Sequence, residues 1–397
     1  MQTIQIQFPR KFVFGDGCLR DFVDYFVSMT YKRAFIIADP HVKEPLGFLS
    51  DALEMEGVEV IVNTEIENEP TERGFLSLLR EAENGQVDSV IGIGGGSVLD
   101  VAKLVAALAG TGKVAGSAYG SGKLSGRKLF LACLPTTAGT GSEVSPNAIL
   151  LDEKEHLKKA VVSPYLLPDA TFVDPVLTYS VPPSVTASTG IDALTHCIEV
   201  YANKFAHPIT DLFALEGIRL IYHHLERAFR DGSDAVARLN VALGSVYGGL
   251  GLGPVNTAAV HAIAYPLGSE YKIPHGISNA LLLPHVLEYN LPFGVERYAE
   301  IARTIGVSKA SSSMERGLTP FREATSFLLA STILSKIIIV LQPLLSSIKA
   351  CNFLMAIPLS IHSSAIAMPS RMSLAFSPAM IARAVLRRTI FRQASPF

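Results

Sequence analysis

The chain has 397 residues, of which 49% are hydrophobic and 18% are charged. That composition supplies enough apolar side chains for a large core and excludes a disordered or fibrous chain. The formal net charge of −2 argues against a protein whose main partner is nucleic acid or an anionic membrane. The four cysteines show no paired spacing, so we expect neither a disulfide framework nor a cysteine-based zinc site. The first residues lack the pattern of a secretory signal peptide, so we expect a cytoplasmic protein.

Charge is distributed unevenly along the chain. All 36 acidic residues lie at or before Glu323, and the 74 residues that follow carry seven basic residues and no acidic one. A solvated globular surface normally carries both signs. Segment 324–397 could be membrane-inserted, although Pro358 and Pro369 interrupt its longest uncharged run. It could also be a buried helical core of unusual composition, or a frame-shifted stretch that did not evolve with the rest, and we favour the frame shift.

Short apolar segments in the first half of the chain predict buried strands. Their near-continuous apolarity is typical of a parallel sheet that helices cover on both faces. After about residue 180 the strand patterns give way to helical ones, the first of which is predicted to be capped by Ser188 or Thr189. The sequence therefore predicts an α/β domain followed by an all-helical domain. The predicted strands are 34–39, 58–63, 88–93 and 128–134.

The segment D-S-V-I-G-I-G-G-G-S-V-L-D-V-A-K (88–103) predicts a strand, a glycine turn and a helix. Gly95 and Gly96 allow the backbone to approach a ligand closely, and Ser97 is predicted to cap a helix that begins at Val98. Free N–H groups at the positive end of that helix would form an anion site. A tight turn that binds no ligand remains the alternative. We call residues 94–97 the glycine loop.

Two further features point to a nucleotide at the same edge of the sheet. Asp39 ends a predicted strand, where a carboxylate can bond the ribose hydroxyls of NAD and repel the 2′-phosphate of NADP. An ordinary turn aspartate before Pro40 explains the same residue equally well. The segment L-P-T-T-A-G-T-G-S-E-V-S-P (134–146), here called the hydroxyl loop, follows another strand and offers hydroxyl and backbone donors. The carboxyl edge of a parallel sheet is where α/β folds bind their ligands.

A carboxylate and several imidazoles in the second half of the chain predict a metal site. Asp192 and His196 are four residues apart on a predicted helix and so share one face. His261 and His275 lie downstream among apolar and small residues, which predicts that both are buried. Taken singly, an Asp–His pair on a helix surface and a buried core histidine are the more common explanations. Together, one carboxylate and three imidazoles form a donor set suited to Fe(II) or Zn(II).

Several long motifs make this sequence resemble the iron-containing (group III) alcohol dehydrogenase family over roughly residues 5–315. They are G-G-G-S-V-L-D-V-A-K, P-T-T-A-G-T-G-S-E-V-S, G-I-D-A-L-T-H-C-I-E, H-A-I-A-Y-P-L-G and P-H-G-I-S-N-A-L-L-L-P-H-V. The resemblance implies a dehydroquinate synthase-like fold, with a Rossmann-like NAD-binding domain at 1–180 and a helical metal-binding domain at 181–323. It leaves segment 324–397 as an atypical tail, which we interpret as frame-shifted or poorly folded.

The resemblance also assigns site residues. The family's metal ligands fall on Asp192, His196, His261 and His275. Tyr265 stands where several members carry a further histidine, and its hydroxyl is expected to bond substrate or a water chain. Lys159 is expected to place positive charge near the cofactor, with Lys158 as its rival. The implied nucleotide contacts are Asp39, Gly95, Gly96, Ser97, Asp100, Thr136, Thr137, Thr140, Ser142 and Lys159.

The expected activity is hydride transfer between a small alcohol and NAD, with Fe(II), or alternatively Zn(II), polarising the alcohol oxygen. The expected partners are a small alcohol and its aldehyde or ketone, with no nucleic acid and no membrane, and family resemblance suggests a homodimer. One alternative is a catalytically defective nucleotide-binding remnant whose aberrant C-terminus prevents closure over the metal. A metal-dependent hydrolase that uses the same ligands to activate water is a second alternative.

Overall fold

The computed structural model describes residues 3–66, 69–113, 115–155 and 157–306. The predictions made for segment 324–397 therefore lie outside the described residues. The described residues belong to one unit of the chain, Met1–Val340. The domain boundaries at 180 and 323 stay predictions.

A parallel sheet forms the centre of the first half of the chain. The strands are β1 (Lys11–Phe14), β2 (Arg33–Ala38), β3 (Glu59–Asn63), β4 (Ser89–Gly94), β5 (Gly120–Ser121), β6 (Phe130–Pro135), β7 (Asn147–Asp152), β8 (Leu157–Val162) and β9 (Ala170–Val173). Six of them pair in parallel in the order β1-β9-β6-β4-β2-β3, and β5-β8-β7 form a small second sheet. The four strands predicted from apolar runs are confirmed as β2, β3, β4 and β6. The sequence analysis missed β1, β9 and the second sheet, which are shorter or only half buried.

Ten α-helices lie within the described ranges. They are α1 (Cys18–Ser28), α2 (Lys43–Met55), α3 (Glu72–Asn84), α4 (Gly96–Leu108), α5 (Pro183–Tyr201), α6 (Pro208–Arg230), α7 (Ala235–Leu252), α8 (Ala259–Tyr271), α9 (His275–Asn290) and α10 (Val295–Thr304). Helices cover both faces of the six-stranded sheet. Alternate residues of one strand point to opposite faces, so a single strand contacts helices on both sides. Ile36 of β2 packs with α1 and α2, whereas Phe35 and Ile37 pack with α3 and α4.

The second half is helical, as predicted: between Val173 and residue 306 the described chain contains no further strand. Helix α5 packs against α6, α7 and α9, so nearly all of its carboxyl-terminal half is buried. The prediction that Ser188 or Thr189 caps this helix was wrong. The helix begins earlier, at Pro183, because proline has its φ fixed near the helical value and fits the first turn. No helix within the described ranges has the length and apolarity needed to cross a lipid bilayer.

Candidate metal centre and nucleotide cleft

Three side chains from three different helices converge on one point. Asp192 lies in the middle of α5, His261 in the first turn of α8, and His275 at the start of α9. Each offers one ligand atom, and these atoms all lie within 4.8 Å of one another. Asp192 Oδ1 is 3.3 Å from His261 Nε2 and 3.6 Å from His275 Nε2. The chain thus brings together residues that are up to 83 positions apart in sequence, in a volume suited to one cation.

His196, the fourth predicted ligand, lies one helical turn after Asp192 and stands slightly apart. Its Nε2 is 3.9 Å from Asp192 Oδ1, and its ring stacks on the His261 ring with centroids 4.5 Å apart. Its Nδ1 lies 3.3 Å from the carbonyl oxygen of Gly139 in the hydroxyl loop. A ring that donates through Nδ1 keeps the Nε2 lone pair available to a cation. The geometry therefore suits His196 as an additional ligand beside the tight group of three.

Burial and mutual interaction set the charges of this cluster. Burial alone would raise the pKa of Asp192, but the three neighbouring histidines outweigh it and hold the pKa below its usual range. Burial lowers the pKa of His196, and lowers that of His275 to about 3. Burial also opposes charge on His261, yet its hydrogen bonds to Asp192 and Glu199 raise its pKa to about 9. Asp192 is therefore an anion, and His196 and His275 are neutral at pH 7 with lone pairs to offer.

The donor set and its exposure fit a catalytic divalent ion. The side chains of Asp192, His196 and His261 are at most 6% exposed, whereas that of His275 is 26% exposed. The cluster is thus enclosed on most sides and open beside His275, and an open position is what distinguishes a catalytic metal site from a structural one. One carboxylate and up to three imidazoles suit both Fe(II) and Zn(II).

Two side chains of the centre were missed by the sequence analysis. Glu199 Oε2 accepts a hydrogen bond from His261 Nδ1 at 2.6 Å, and Asn279 Nδ2 donates to Asp192 Oδ1 at 2.7 Å. Both residues lie in the quoted motifs, Glu199 three positions after His196 and Asn279 four after His275. Helical spacing from a predicted ligand was the signal that could have identified both.

The open side of the centre is bordered by Tyr265 and Lys158. The Tyr265 ring stacks on the His275 ring with centroids 5.7 Å apart, and Lys158 Nζ lies 5.9 Å from the Tyr265 ring centre. Lys158 is also ion-paired with Glu69. Lys159 points to the other face of β8, where it forms ion pairs with Asp152 and Glu155. The structure thus places Lys158, the rival assignment, beside Tyr265. The cofactor role of Lys159 stays a prediction.

Apart from Lys159 on β8, the predicted nucleotide residues lie at or just beyond the carboxyl ends of β2, β4 and β6, which are neighbours in the sheet. Asp39 follows β2, and its backbone N–H donates to the carbonyl of Ile93 in β4. The two loops after β4 and β6 touch each other: a Cβ added to Gly96 would lie 2.5 Å from a methyl carbon of Thr140. A Cβ added to Gly95 would likewise lie 3.3 Å from the hydroxyl oxygen of Thr137. These residues share one edge of the sheet, and their contacts to a cofactor stay predictions.

The start of α4 differs from the prediction. The helix begins at Gly96 with Gly95 in the N-cap position, so the prediction that Ser97 caps a helix starting at Val98 was wrong. The extended backbone of Gly95 makes the turn directly, and no side chain satisfies the first N–H groups from the cap position. Uncapped N–H groups at the amino end of a helix can accept an anion such as a pyrophosphate.

Asp100 and Ser142 bond to each other beneath this edge. Asp100 Oδ1 accepts from Ser142 Oγ at 2.5 Å, and its Oδ2 accepts from the backbone N–H of Ile149 at 2.9 Å. The fully buried Lys103 donates to the same Ser142 hydroxyl at 2.8 Å. This network ties α4 to the hydroxyl loop. The described contacts of both residues are with protein groups, and their nucleotide contacts stay predictions.

Two family descriptions match most of the chain. "Iron-containing alcohol dehydrogenase" matches residues 9–175, and "Fe-containing alcohol dehydrogenase family, C-terminal" matches residues 186–336. The chain belongs to the iron-containing alcohol dehydrogenase family. The resemblance inferred from the motifs is therefore confirmed, as is the predicted fold of a parallel sheet with a helical second half.

Individual relatives agree with this family. The chain is 41% identical over 312 residues to long-chain-alcohol dehydrogenase 1 of Geobacillus thermodenitrificans, covering 77% of this chain and 78% of that protein. The crystal structure of a 1,3-propanediol oxidoreductase superposes with a TM-score of 0.80 at 31% identity, covering 89% and 91% of the two chains. A sulfoacetaldehyde reductase from Bifidobacterium kashiwanohense, solved in complex with NAD+, has a TM-score of 0.74 at 29% identity over 85% and 86%. As a member of this family, the protein is an oxidoreductase of alcohols and aldehydes.

Proposed function

We propose that this iron-containing alcohol dehydrogenase reversibly oxidises a small primary or vicinal alcohol with NAD+, and that Fe(II), or Zn(II) in its place, is held by Asp192, His196, His261 and His275. The observation that carries the proposal is the convergence of a buried carboxylate and two imidazoles from three helices, with a third imidazole alongside. In the reaction the alcohol carbon loses a hydride to the nicotinamide and the oxygen loses a proton, which leaves an aldehyde or ketone.

The residues of the centre have different roles in the proposed reaction. A divalent cation bound there supplies Lewis acidity that lowers the pKa of the alcohol hydroxyl. Asp192 supplies the buried negative charge that retains the cation, and the exposed edge of His275 leaves room for the substrate oxygen. Tyr265 lies flat against His275 on that open side, and burial raises the pKa of its hydroxyl well above the usual range. Its hydroxyl therefore stays protonated and can donate a hydrogen bond to substrate or to water.

NAD is the proposed cofactor, bound at the edge formed by Asp39, the glycine loop and the hydroxyl loop. The Asp39 side chain is 30% exposed at the end of β2, where its charge would disfavour a 2′-phosphate. The amino end of α4 offers N–H groups to the pyrophosphate. The NAD+ complex of the Bifidobacterium sulfoacetaldehyde reductase supports the choice of cofactor.

A small alcohol, with its aldehyde or ketone, is the proposed substrate, because the similar 1,3-propanediol oxidoreductase and sulfoacetaldehyde reductase are named for small compounds of these classes. Family resemblance further supports a homodimer and a cytoplasmic location. A catalytically defective remnant is not favoured, because the metal-ligand cluster is assembled within the described residues.

The test measures NAD+ and NADP+ reduction at 340 nm over a panel of small alcohols, with apoprotein reconstituted separately with Fe(II) and Zn(II). We expect activity only with metal and a preference for NAD+. His261→Ala or His275→Ala should lose metal and lower kcat/KM by at least 100-fold while NAD+ binding remains measurable. Glu216→Gln, on the exposed surface of α6, is the control that should keep full activity. Full activity of the metal-free histidine variants, or ester cleavage without nicotinamide reduction, would contradict the proposal.

A further inference from the structure

Glu199 is a buried carboxylate placed between two helices of the metal centre. It lies on α5, only 5% exposed, and it touches the beginning of α8 with both oxygens. Its Oε1 accepts from the backbone N–H of Val260 at 2.6 Å. Its Oε2 accepts from the backbone N–H of Ala258 at 2.9 Å and from His261 Nδ1 at 2.6 Å. All three of these hydrogen bonds thus join Glu199 to the start of α8, the segment that carries the proposed ligand His261.

The bond to His261 decides which ring nitrogen can face the cation. A neutral imidazole has one N–H and one lone pair, and a carboxylate beside Nδ1 holds the N–H there. Nε2, which lies 3.3 Å from Asp192 Oδ1, is then the nitrogen whose proton a bound cation would replace and whose lone pair it would use. Carboxylates that bond the outer nitrogen of a ligand histidine fix its ring orientation and raise its basicity as a ligand.

We propose that Glu199 is a positioning residue for the metal: it fixes the tautomer and orientation of His261 and holds the start of α8 against α5. This inference rests on the metal centre of the proposed function. The two oxygens act together, because the backbone bonds locate the helix end and the third bond orients the ring.

The three histidines of the centre differ in the group that faces Nδ1, the outer ring nitrogen that is directed away from the proposed cation. His196 Nδ1 faces the neutral carbonyl of Gly139 at 3.3 Å. His275 Nδ1 is buried and has no hydrogen-bond partner within the described ranges. Only His261, of these three, is oriented by a charged group. Neutralising Glu199 therefore removes the one charged outer partner of the ligand set, and its effect should reach the metal through His261.

The Glu199→Gln variant tests the positioning role, because it changes the hydrogen-bonding capacity of the side chain but hardly its size. Glutamine has nearly the same size but only one acceptor oxygen, whereas Glu199 serves three donors with two oxygens. If the amide oxygen faces His261, the amide NH₂ opposes the N–H of Val260. If the amide is turned round, its NH₂ faces His261 Nδ1 and favours the tautomer whose lone pair points away from the cation. Either arrangement weakens metal binding.

The experiment measures the affinity of the full-length apoprotein for Zn(II) and for Co(II) by competition with a chelator, together with the visible spectrum of the Co(II) form. We expect Glu199→Gln to bind each ion 10- to 100-fold more weakly, which is the usual effect of losing such an outer partner. Cys197→Ala is the matched control, since Cys197 is buried on the same helix and bonds the Gly244 carbonyl instead. It should be destabilised to heat but bind both ions with wild-type affinity.

The outcomes separate this inference from the proposed function. If the wild-type protein binds no divalent ion, the proposed function fails. If it binds and Glu199→Gln binds within twofold of wild type, Glu199 only stabilises the fold and the inference fails. Should Glu199→Gln not fold, ¹⁵N-histidine NMR of the wild-type Zn(II) form decides. A His261 signal with the proton on Nδ1 supports positioning, and one with zinc on Nδ1 overturns it.

Discussion

At the scale of single residues, Glu143 is a carboxyl group whose surroundings disfavour its charged form. It lies in the hydroxyl loop, is 3% exposed, and is buried so completely that its pKa rises from 4.5 to about 7. Its backbone carbonyl anchors β9 by accepting from the Thr171 hydroxyl at 2.6 Å. The side chain therefore folds most favourably in its protonated form.

This burial makes the stability of the protein depend on pH. Between about 4.5 and 7 the folded protein retains a proton on Glu143 that the unfolded chain has released, so the free energy of unfolding falls as the pH rises. The contribution is at most about 1.4 kcal/mol per pH unit. Glu143→Gln should flatten this part of the stability profile, measured by urea unfolding of the apoprotein at pH 5 and pH 7.5. Glu44→Gln, exposed on α2, should leave the profile unchanged. An equal slope in Glu143→Gln and wild type would contradict the assignment.

The candidate metal ligands could be predicted from residue types and spacing. Helical spacing also marks Glu199 and Asn279 as neighbours of the site, but it does not show which ligand each of them bonds. Asp192 and His196 are related by one helical turn, a local rule that the sequence displays directly. Glu199 meets His261 only because α5 and α8 approach each other in the fold, with 62 positions between the two residues. The choice between Lys158 and Lys159 depended on which face of β8 points to the cleft, and nothing in the sequence indicated the existence of that strand.

At the scale of elements, the hydroxyl loop is held by close backbone contact with α7. Gly141 has φ +61°, in the left-handed region that favours glycine, and it packs directly on Gly249. A Cβ added to Gly249 would lie 2.7 Å from the Cα of Gly141, with backbone rather than a flexible side chain in the way. The position of the loop therefore depends on the absence of a side chain on the neighbouring helix.

Gly249→Ala should displace the hydroxyl loop. We expect it to lower the free energy of unfolding by about 1–3 kcal/mol, as overpacking does, and to weaken NAD+ binding, since the loop borders the proposed cofactor edge. Thermal unfolding and NAD+ titration measure the two effects. Gly47→Ala is the matched control: this glycine lies in α2 with open space at its Cβ position, so alanine should be neutral or stabilise by up to about 1 kcal/mol. Wild-type NAD+ affinity in Gly249→Ala would show that the loop does not contribute to the cofactor site.

Elements were predictable where one physical signal dominates. The fully buried strands β2, β4 and β6 show continuous apolar runs, and these runs were found. The hairpin β7–β8 alternates buried and exposed residues only partly and carries two adjacent lysines, so its pattern was ambiguous. The starts of α4 and α5 were misplaced because glycine and proline backbone geometry, rather than a polar cap, begins both helices.

At the scale of the whole molecule, the two halves of the chain meet at the candidate metal centre. The α/β half supplies the predicted nucleotide edge, and the helical half supplies the proposed metal ligands. The hydrogen bond from His196 Nδ1 to the Gly139 carbonyl joins them directly, with 57 positions between the two residues. In the proposed reaction the nicotinamide and the alcohol must lie close together at the metal, and the fold places the hydroxyl loop of one half against His196, a proposed ligand from the other half.

A cation bound at this site would cross-link three helices. Its proposed ligands come from α5, α8 and α9, and the unfolded chain cannot hold them in one place. Binding to the folded state alone stabilises it by about 2.7 kcal/mol at a free metal concentration 100 times Kd. For a protein of this size we expect that gain from Zn(II) to raise the Tm of the apoprotein by about 3 °C. Differential scanning calorimetry with and without metal measures the shift.

His275→Ala tests whether the stabilisation by metal depends on this particular site. The His275 side chain is 26% exposed, so its removal should change the Tm of the apoprotein little. The rise on adding Zn(II) should fall to less than half of the wild-type value, because one of the three helices no longer contributes a ligand. A full rise in His275→Ala would place the stabilising ion elsewhere in the protein, and no rise in wild type despite measured binding would mean that the unfolded chain binds the ion equally well.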